Sequence, residues 1–249
     1  MILELNDHQA LLDCFEQHKD KIAAIIVEPL PANNGLLIQD NDYLKFLREL
    51  TEKHNALLIF DEVISGFRTA FGGMAELTEI KPDISTYGKI IGGGLPVGAI
   101  ASTNKIMGHL APLGNVYQAG TLSANPLAMI GGRATLSQLT TDSYGFLEKQ
   151  TIKVKELFED WFQNYKDGKF SNYEMTTHSS LFWIHPKGKI QKAIEIPANL
   201  GADFVPLFET LLNKGIYLSP NAYEVGFVSL AHNDDVITEL KEKLWSNIE

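Results

Sequence analysis

LLIFDEVISGFR, Leu57 to Arg68, runs from an apolar stretch straight into two adjacent carboxylates, Asp61 and Glu62. The apolar part reads as a buried strand, because a strand covered on both faces shows a continuous run rather than strict alternation. Charge at the end of such a strand is costly unless a cation or hydrogen-bond donors meet it. A second stretch, STYGKIIGGGLPVG (Ser85 to Gly98), has the opposite sign: one lysine, Lys89, stands before a glycine run.

The flanks of these stretches set the fold class. DHQALLDCFEQHKD (Asp7 to Asp20) predicts a helix with Asp7 at its N-cap. IAAIIVEP (Ile22 to Pro29) predicts another strand buried on both faces. DNDYLKFLRELTEKHN (Asp40 to Asn55) predicts a helix with Leu44, Leu47 and Leu50 on one face and Asn55 at its stop. ISTY and VGAIAS predict two further short strands. Strand, helix, strand with short links implies a parallel sheet with right-handed crossovers. Ligands of such sheets collect at the carboxyl ends of strands. Glu28, Asp61 and Lys89 all lie at such ends and are expected to converge on one crevice.

From Pro126 the pattern turns helical, with two helices broken near Thr140 to Tyr144. Beyond about Lys166 it predicts a strand (SLFWIH), a helix from Ala202 to Lys214 stopped by Gly215, a strand (GIYLS) and a hairpin-like piece (VGFVSL). The last helix has Asn233 as its N-cap and Ile237, Leu240, Leu244 and Ile248 on one face. His185 to Asp203 has no periodicity and is expected to be a loop. The expected organisation is an α/β large domain over residues 1–135, linking helices over 136–165 and a small α+β domain over 166–249.

Composition excludes several classes. A net charge of −10 argues against a nucleic-acid face, which needs clustered Lys and Arg. One cysteine, Cys14, permits no internal disulfide and no multi-cysteine zinc site, and fits a reducing, cytoplasmic setting. The seven histidines show no metal-ligand spacing. No apolar run approaches the ~18 residues of a membrane span. MILELNDHQALLD lacks the basic start of a signal peptide.

Lys89 lies 28 residues after Asp61. A direct ion pair is one reading of the two; a ligand held between them is the other. Pyridoxal 5′-phosphate has the matching chemistry: its protonated ring nitrogen seeks a carboxylate and its aldehyde takes a lysine amine. Such a lysine must be desolvated or near positive charge to offer a neutral amine. Gly88, Gly92, Gly93 and Gly94 would let backbone approach a flat ring.

FDEVISGFR, KPDISTYGKIIGGGLPVGA and VYQAGTLSANPLAM together resemble the class III aminotransferases, pyridoxal-phosphate enzymes of fold type I. Within that family the resemblance is to its aminomutase branch, and GIYLSPNAYEVGFVSLAH resembles that branch's C-terminal region. The resemblance implies the following roles. Lys89 would hold the cofactor covalently and move protons between substrate and cofactor. Asp61 would take the pyridinium nitrogen, and Val63, on the same strand face, would pack on the ring. Thr121 would hydrogen-bond the cofactor phosphate, commonly across a dimer, and Asn33 would sit near the ring hydroxyl. Glu224 would meet the substrate, with a solvated loop acid as its alternative. Glu28 would brace the turn from Pro29 to Gly35, Arg68 would pair within that region, and Tyr117 and Gln118 would line the pocket or remain on an exposed loop.

Two departures stand out. Ala124 occupies a place where the family has glycine, which strains an L-residue if the backbone there needs φ > 0. Family members are also much longer, so the resemblance implies that their first half is not in this sequence. That half contains the helix start that cradles the phosphate and the aromatic that stacks on the ring. A homodimer, or an assembly with a chain supplying that half, is the expected working form. The implied activity is isomerisation of a small molecule, glutamate 1-semialdehyde, to 5-aminolevulinate on the way to tetrapyrroles, with the pyridoxamine 5′-phosphate form in the cycle. The alternatives are an ordinary aminotransferase with a keto-acid acceptor, and a non-catalytic half-enzyme acting as a scaffold.

Overall fold

The computed structural model describes residues 1–246. The chain divides into two compact units, the first comprising Met1–Leu30 and Gln39–Thr140, the second Pro31–Ile38 and Thr141–Glu249.

The first unit is built on a four-stranded sheet in the order β1 (Ala24–Val27), β2 (Leu57–Asp61), β3 (Ile84–Gly88), β4 (Gly98–Ser102). The first three strands are parallel and β4 runs antiparallel to β3, so the sheet is mostly parallel, as expected, with one reversed strand. The reversal follows from the link. Lys89 to Val97 is shorter than the ~12 residues a parallel crossover needs. Helices α1 (His8–Gln17) and α2 (Asn41–Lys53) cover one face. Their Leu11, Phe15, Tyr43, Leu44, Leu47 and Leu50 pack with Val27, Leu58 and Phe60 into a single core. Asp7 caps α1 as expected, its carboxylate accepting from the Ala10 amide at 2.9 Å.

The expectation of strands buried on both faces is corrected. In β2 only Leu58 and Phe60 are buried and the alternate residues are half-buried; in β1, Ile26 is 63 % exposed. Side chains in a strand point alternately to the two faces, and the α1–α2 layer receives only one set. The short helices α3 (Gly73–Thr78) and α4 (Asn104–Met107) and the longer α5 (Pro126–Leu136) complete this unit.

In the second unit α6 (Thr141–Asn164) buries Leu147, Val154, Phe158, Trp161 and Phe162. It packs against a three-stranded antiparallel sheet of β5 (Tyr173–His178), β6 (Leu181–Pro186) and β7 (Gly226–Phe227). α7 (Leu200–Asn213) ends before Gly215, whose φ of +72° is the left-handed conformation of a helix stop. α8 (Asp234–Trp245) is capped by Asn233, which accepts from the amides of Asp235 and Val236, both at 3.1 Å. Ile248, expected on its apolar face, lies outside the described residues. GIYLS is not a strand, and VGFVSL contributes only the two residues of β7. The stretch expected as a loop contains a 3-10 turn at Ala193–Glu195 and the start of α7. Among the described residues no helix is long and apolar enough to cross a membrane.

Candidate functional site

Asp61 is the last residue of β2 and Glu62 the first beyond it, and the chain sends them to different places. Glu62 is fully buried. Its carboxylate accepts from Ser65 Oγ at 2.8 Å and from the amides of Met74 and Ala75, each at 2.9 Å. It thereby ties the turn after β2 to the first turn of α3. Gly73 is needed here: its φ is +66°, and a Cβ would overlap the Glu62 carboxylate.

Asp61 is half-buried. Its Oδ1 accepts from the Val63 amide and from Thr86 Oγ1, both at 3.1 Å. Asp61 and Thr86 are partners in the parallel register of β2 and β3, so the strand pairing brings that hydroxyl to the carboxylate. Both donors meet the same oxygen, and Oδ2 accepts no hydrogen bond from the described residues. Val63 is not on the strand face where the alternation placed it. β2 ends at Asp61 and Val63 lies in the following turn. Its side chain still reaches the next strand end, because a Cβ on Gly88 would stand 3.1 Å from Val63 Cγ1.

Lys89 follows Gly88 at the end of β3 and opens a 3-10 turn, Lys89–Gly92. Its φ is +51° and its side chain is exposed. A lysine in the left-handed region is strained, and such strain persists only where the surroundings impose it. α5 imposes it here. A Cβ on Gly132 would overlap the Ile91 carbonyl oxygen, and one on Gly93, whose φ is +59°, would overlap that of Gly131. Backbone packs directly on backbone, so the lysine turn is seated against a helix. No ion pair joins Lys89 to Asp61 among the described residues, so the direct-pair reading of the two does not hold.

α5 starts at Pro126 behind Asn125, whose side chain accepts from the Leu127 amide at 3.0 Å and the Ala128 amide at 3.4 Å. Ala124, just ahead of this cap, has φ +55°. It therefore carries the strain that glycine avoids. Ala124→Gly is expected to raise stability by about 0.5–1 kcal/mol, the relief being partly offset by added unfolded-state freedom; urea denaturation followed by circular dichroism reads this directly. Thr121 lies in the exposed turn before Ala124, and Tyr117, 83 % exposed, and Gln118 precede it on an exposed loop.

The other two candidates belong to the second unit. Asn33 and Glu224 are both exposed. Their segments are joined: the Gly35 amide donates to the Tyr223 carbonyl at 2.7 Å. Trp183 donates to the Ala222 carbonyl at 2.8 Å, and its ring lies 2.8 Å from where a Gly35 Cβ would be. Glu28 sits half-buried just after β1, and Arg68 half-buried in the turn after Glu62.

The structure thus gathers Asp61, Val63 and Lys89 at adjoining ends of β2 and β3, with Thr121 in the same unit. Sequence reasoning missed Thr86, Gly132 and the inward course of Glu62. A glycine pair inside a helix is a detectable signal of close approach; the reach of Thr86 to Asp61 depends on strand register and leaves none.

The family model for class III aminotransferases matches residues 3–174. A glutamate-1-semialdehyde 2,1-aminomutase from Bdellovibrio bacteriovorus is 49% identical over 242 residues, which are 96% of this chain and 56% of that protein. One from Leptospira biflexa is 47% identical, over 98% of this chain and 57% of its own length. The chain spans about half the length of the curated relatives it matches. An omega-transaminase from Sphaerobacter thermophilus superposes with a TM-score of 0.85 at 29% identity, covering 96% of this chain and 55% of its own. A glutamate-1-semialdehyde aminomutase from Pseudomonas aeruginosa, solved with PMP, superposes with a TM-score of 0.82 at 21% identity, over 98% and 55%.

Proposed function

Because the chain belongs to the class III aminotransferase family, we propose that it carries the lysine half of a pyridoxal-phosphate site and serves the isomerisation of glutamate 1-semialdehyde to 5-aminolevulinate. The observation that carries this reading is the Asp61 carboxylate, with Oδ1 pinned by two donors and Oδ2 free of described partners, beside a strained Lys89 with which it makes no ion pair. An acceptor-only oxygen at a strand end suits a protonated ring nitrogen; Lys89 is exposed rather than desolvated as expected, so its assignment to the aldehyde rests on its place at the adjoining strand end and on the resemblance. The donor set therefore fits the cofactor.

When bound, pyridoxal phosphate supplies an aldehyde that captures amines and a protonated ring that withdraws electrons from the substrate carbon. Asp61 keeps the proton on the ring nitrogen by charge. Lys89 Nζ would hold the cofactor and would serve as general base and acid at the substrate carbon. By the resemblance, Val63 would supply apolar contact to the ring, and Thr121 a hydroxyl for the phosphate across a dimer. The roles of Asn33 at the ring hydroxyl and Glu224 at the substrate rest on the resemblance.

The proposed working form is a homodimer, or an assembly with a chain that supplies the rest of the relatives' length. Exposed apolar side chains support it: Ile100 of β4, and Leu127 and Ile130 of α5, are 48 %, 70 % and 67 % exposed.

The test is an assay of the chain, alone and together with a chain that supplies the rest of the relatives' length, with pyridoxamine phosphate and glutamate 1-semialdehyde and without a keto acid. 5-Aminolevulinate is expected, and Lys89→Ala is expected to stop it. Amino transfer that appears only when a keto acid is added would assign the ordinary aminotransferase reaction. No turnover in either mixture would favour the non-catalytic scaffold.

A further inference from the structure

We propose that Thr86 is a positioning residue, orienting Asp61 so that Oδ2 faces the cofactor ring nitrogen; this rests on the reading of Asp61 given above. Thr86 holds the Asp61–Glu62 pair by two routes. Its Oγ1 donates to Asp61 Oδ1 at 3.1 Å, and its carbonyl accepts from the Glu62 amide at 3.0 Å. The hydroxyl has one proton to give, and it is given to the carboxylate.

An aspartate χ2 is a broad, roughly two-fold torsion, so a carboxylate with a single donor exchanges its oxygens and swings. The Val63 amide lies on the turn and restrains Oδ1 from one side only. Thr86 adds a donor from the neighbouring strand, on a β-branched side chain whose χ1 is stiff. Two donors on one oxygen leave the other with a defined direction. Thr86 also stands three residues before Lys89, which directly follows the end of the same strand, so β3 aims the carboxylate and leads straight into the amine. The two chemical groups are set by one element.

The readout is a ratio of affinities rather than turnover. The chain is titrated with pyridoxal phosphate and with the analogue in which C–H replaces the ring nitrogen, and binding is followed by absorbance and tryptophan fluorescence. The unsubstituted chain is expected to prefer pyridoxal phosphate. Thr86→Val and Thr86→Ala are expected to cut that preference about tenfold, the worth of a hydrogen bond to a charged group. Thr86→Ser, which keeps the hydroxyl, is expected to restore it. General loosening of the fold weakens both ligands alike and leaves the ratio unchanged. If Asp61→Ala abolishes the preference while Thr86→Val and Thr86→Ala retain it, the positioning role is overturned and the reading of Asp61 stands. A result in which neither Thr86 variant folds assigns Thr86 a purely structural role and also overturns the proposal. If the unsubstituted chain shows no preference or no binding, the reading of Asp61 falls, and this proposal with it.

Discussion

Borohydride reduction of the chain with pyridoxal phosphate is expected to leave about one pyridoxyl group per chain, on Lys89, and Lys89→Ala is expected to remove it. The competitor with the strongest chemical case is Lys214. Burial lowers its pKa, and the charge of Lys166 adds to the effect, so more of it is neutral than of an ordinary lysine. Lys214 is nevertheless 7% exposed, and its Nζ donates to the Ser246 carbonyl at 2.5 Å. An aldehyde carrying a phosphate cannot approach it without opening the end of α8. Lys89 is exposed, strained and bounded by glycines, with an acceptor carboxylate at the neighbouring strand end. Peptide mass mapping checks the result. Label spread over several surface lysines, or concentrated on Lys214, would sink the assignment of Lys89.

The second large effect is on stability. Glu62→Ala is expected to cost about 3–5 kcal/mol, because three donors that meet a buried carboxylate lose their acceptor together. The amides of Met74 and Ala75 start α3, so that helix is expected to loosen with the turn from Val63 to Gly73. Glu62→Gln retains shape, but its amide group faces amide and hydroxyl donors, and it is expected to recover only part of the loss. Asp61→Asn provides the contrast. Asp61 is half-buried and its donors reach one oxygen, so the expected change is below about 1 kcal/mol while the preference for pyridoxal phosphate over its C–H analogue is lost. Urea unfolding of the three variants measures this. A Glu62→Ala chain within about 1 kcal/mol of the unsubstituted one would show that the buried carboxylate does not hold the turn.

These two neighbours show how far the order of residues could be read. LLIFDE announced a strand ending in charge, and STYGK announced a strand ending in an amine; both ends are where expected. The helix caps at Asp7 and Asn233 were equally legible, since a cap is a contact between residues two or three apart. The motif order pointed to class III aminotransferases, and the family match agrees. Which carboxylate goes inward and which stays half-buried at the strand end was not legible, because it depends on where the strand stops and on α3 arriving twelve residues later. The expected burial of β1 and β2 on both faces, the strand of GIYLS and the strand-face position of Val63 each failed for a related reason. An apolar run reports preference for burial, whereas the covering layer, the strand direction and the last paired residue are set by partners elsewhere.

Local chemistry, written in contacts a few residues long, determined the elements, their caps and the two reactive groups at strand ends. Register and docking determined the rest. Thr86 meets Asp61 because β2 and β3 pair Asp61 with Thr86, and Lys89 takes a left-handed turn because the Gly131–Gly132 backbone of α5 seats against it. Each of those contacts joins residues 25 or more positions apart, where closure of the chain, not local preference, selects the geometry.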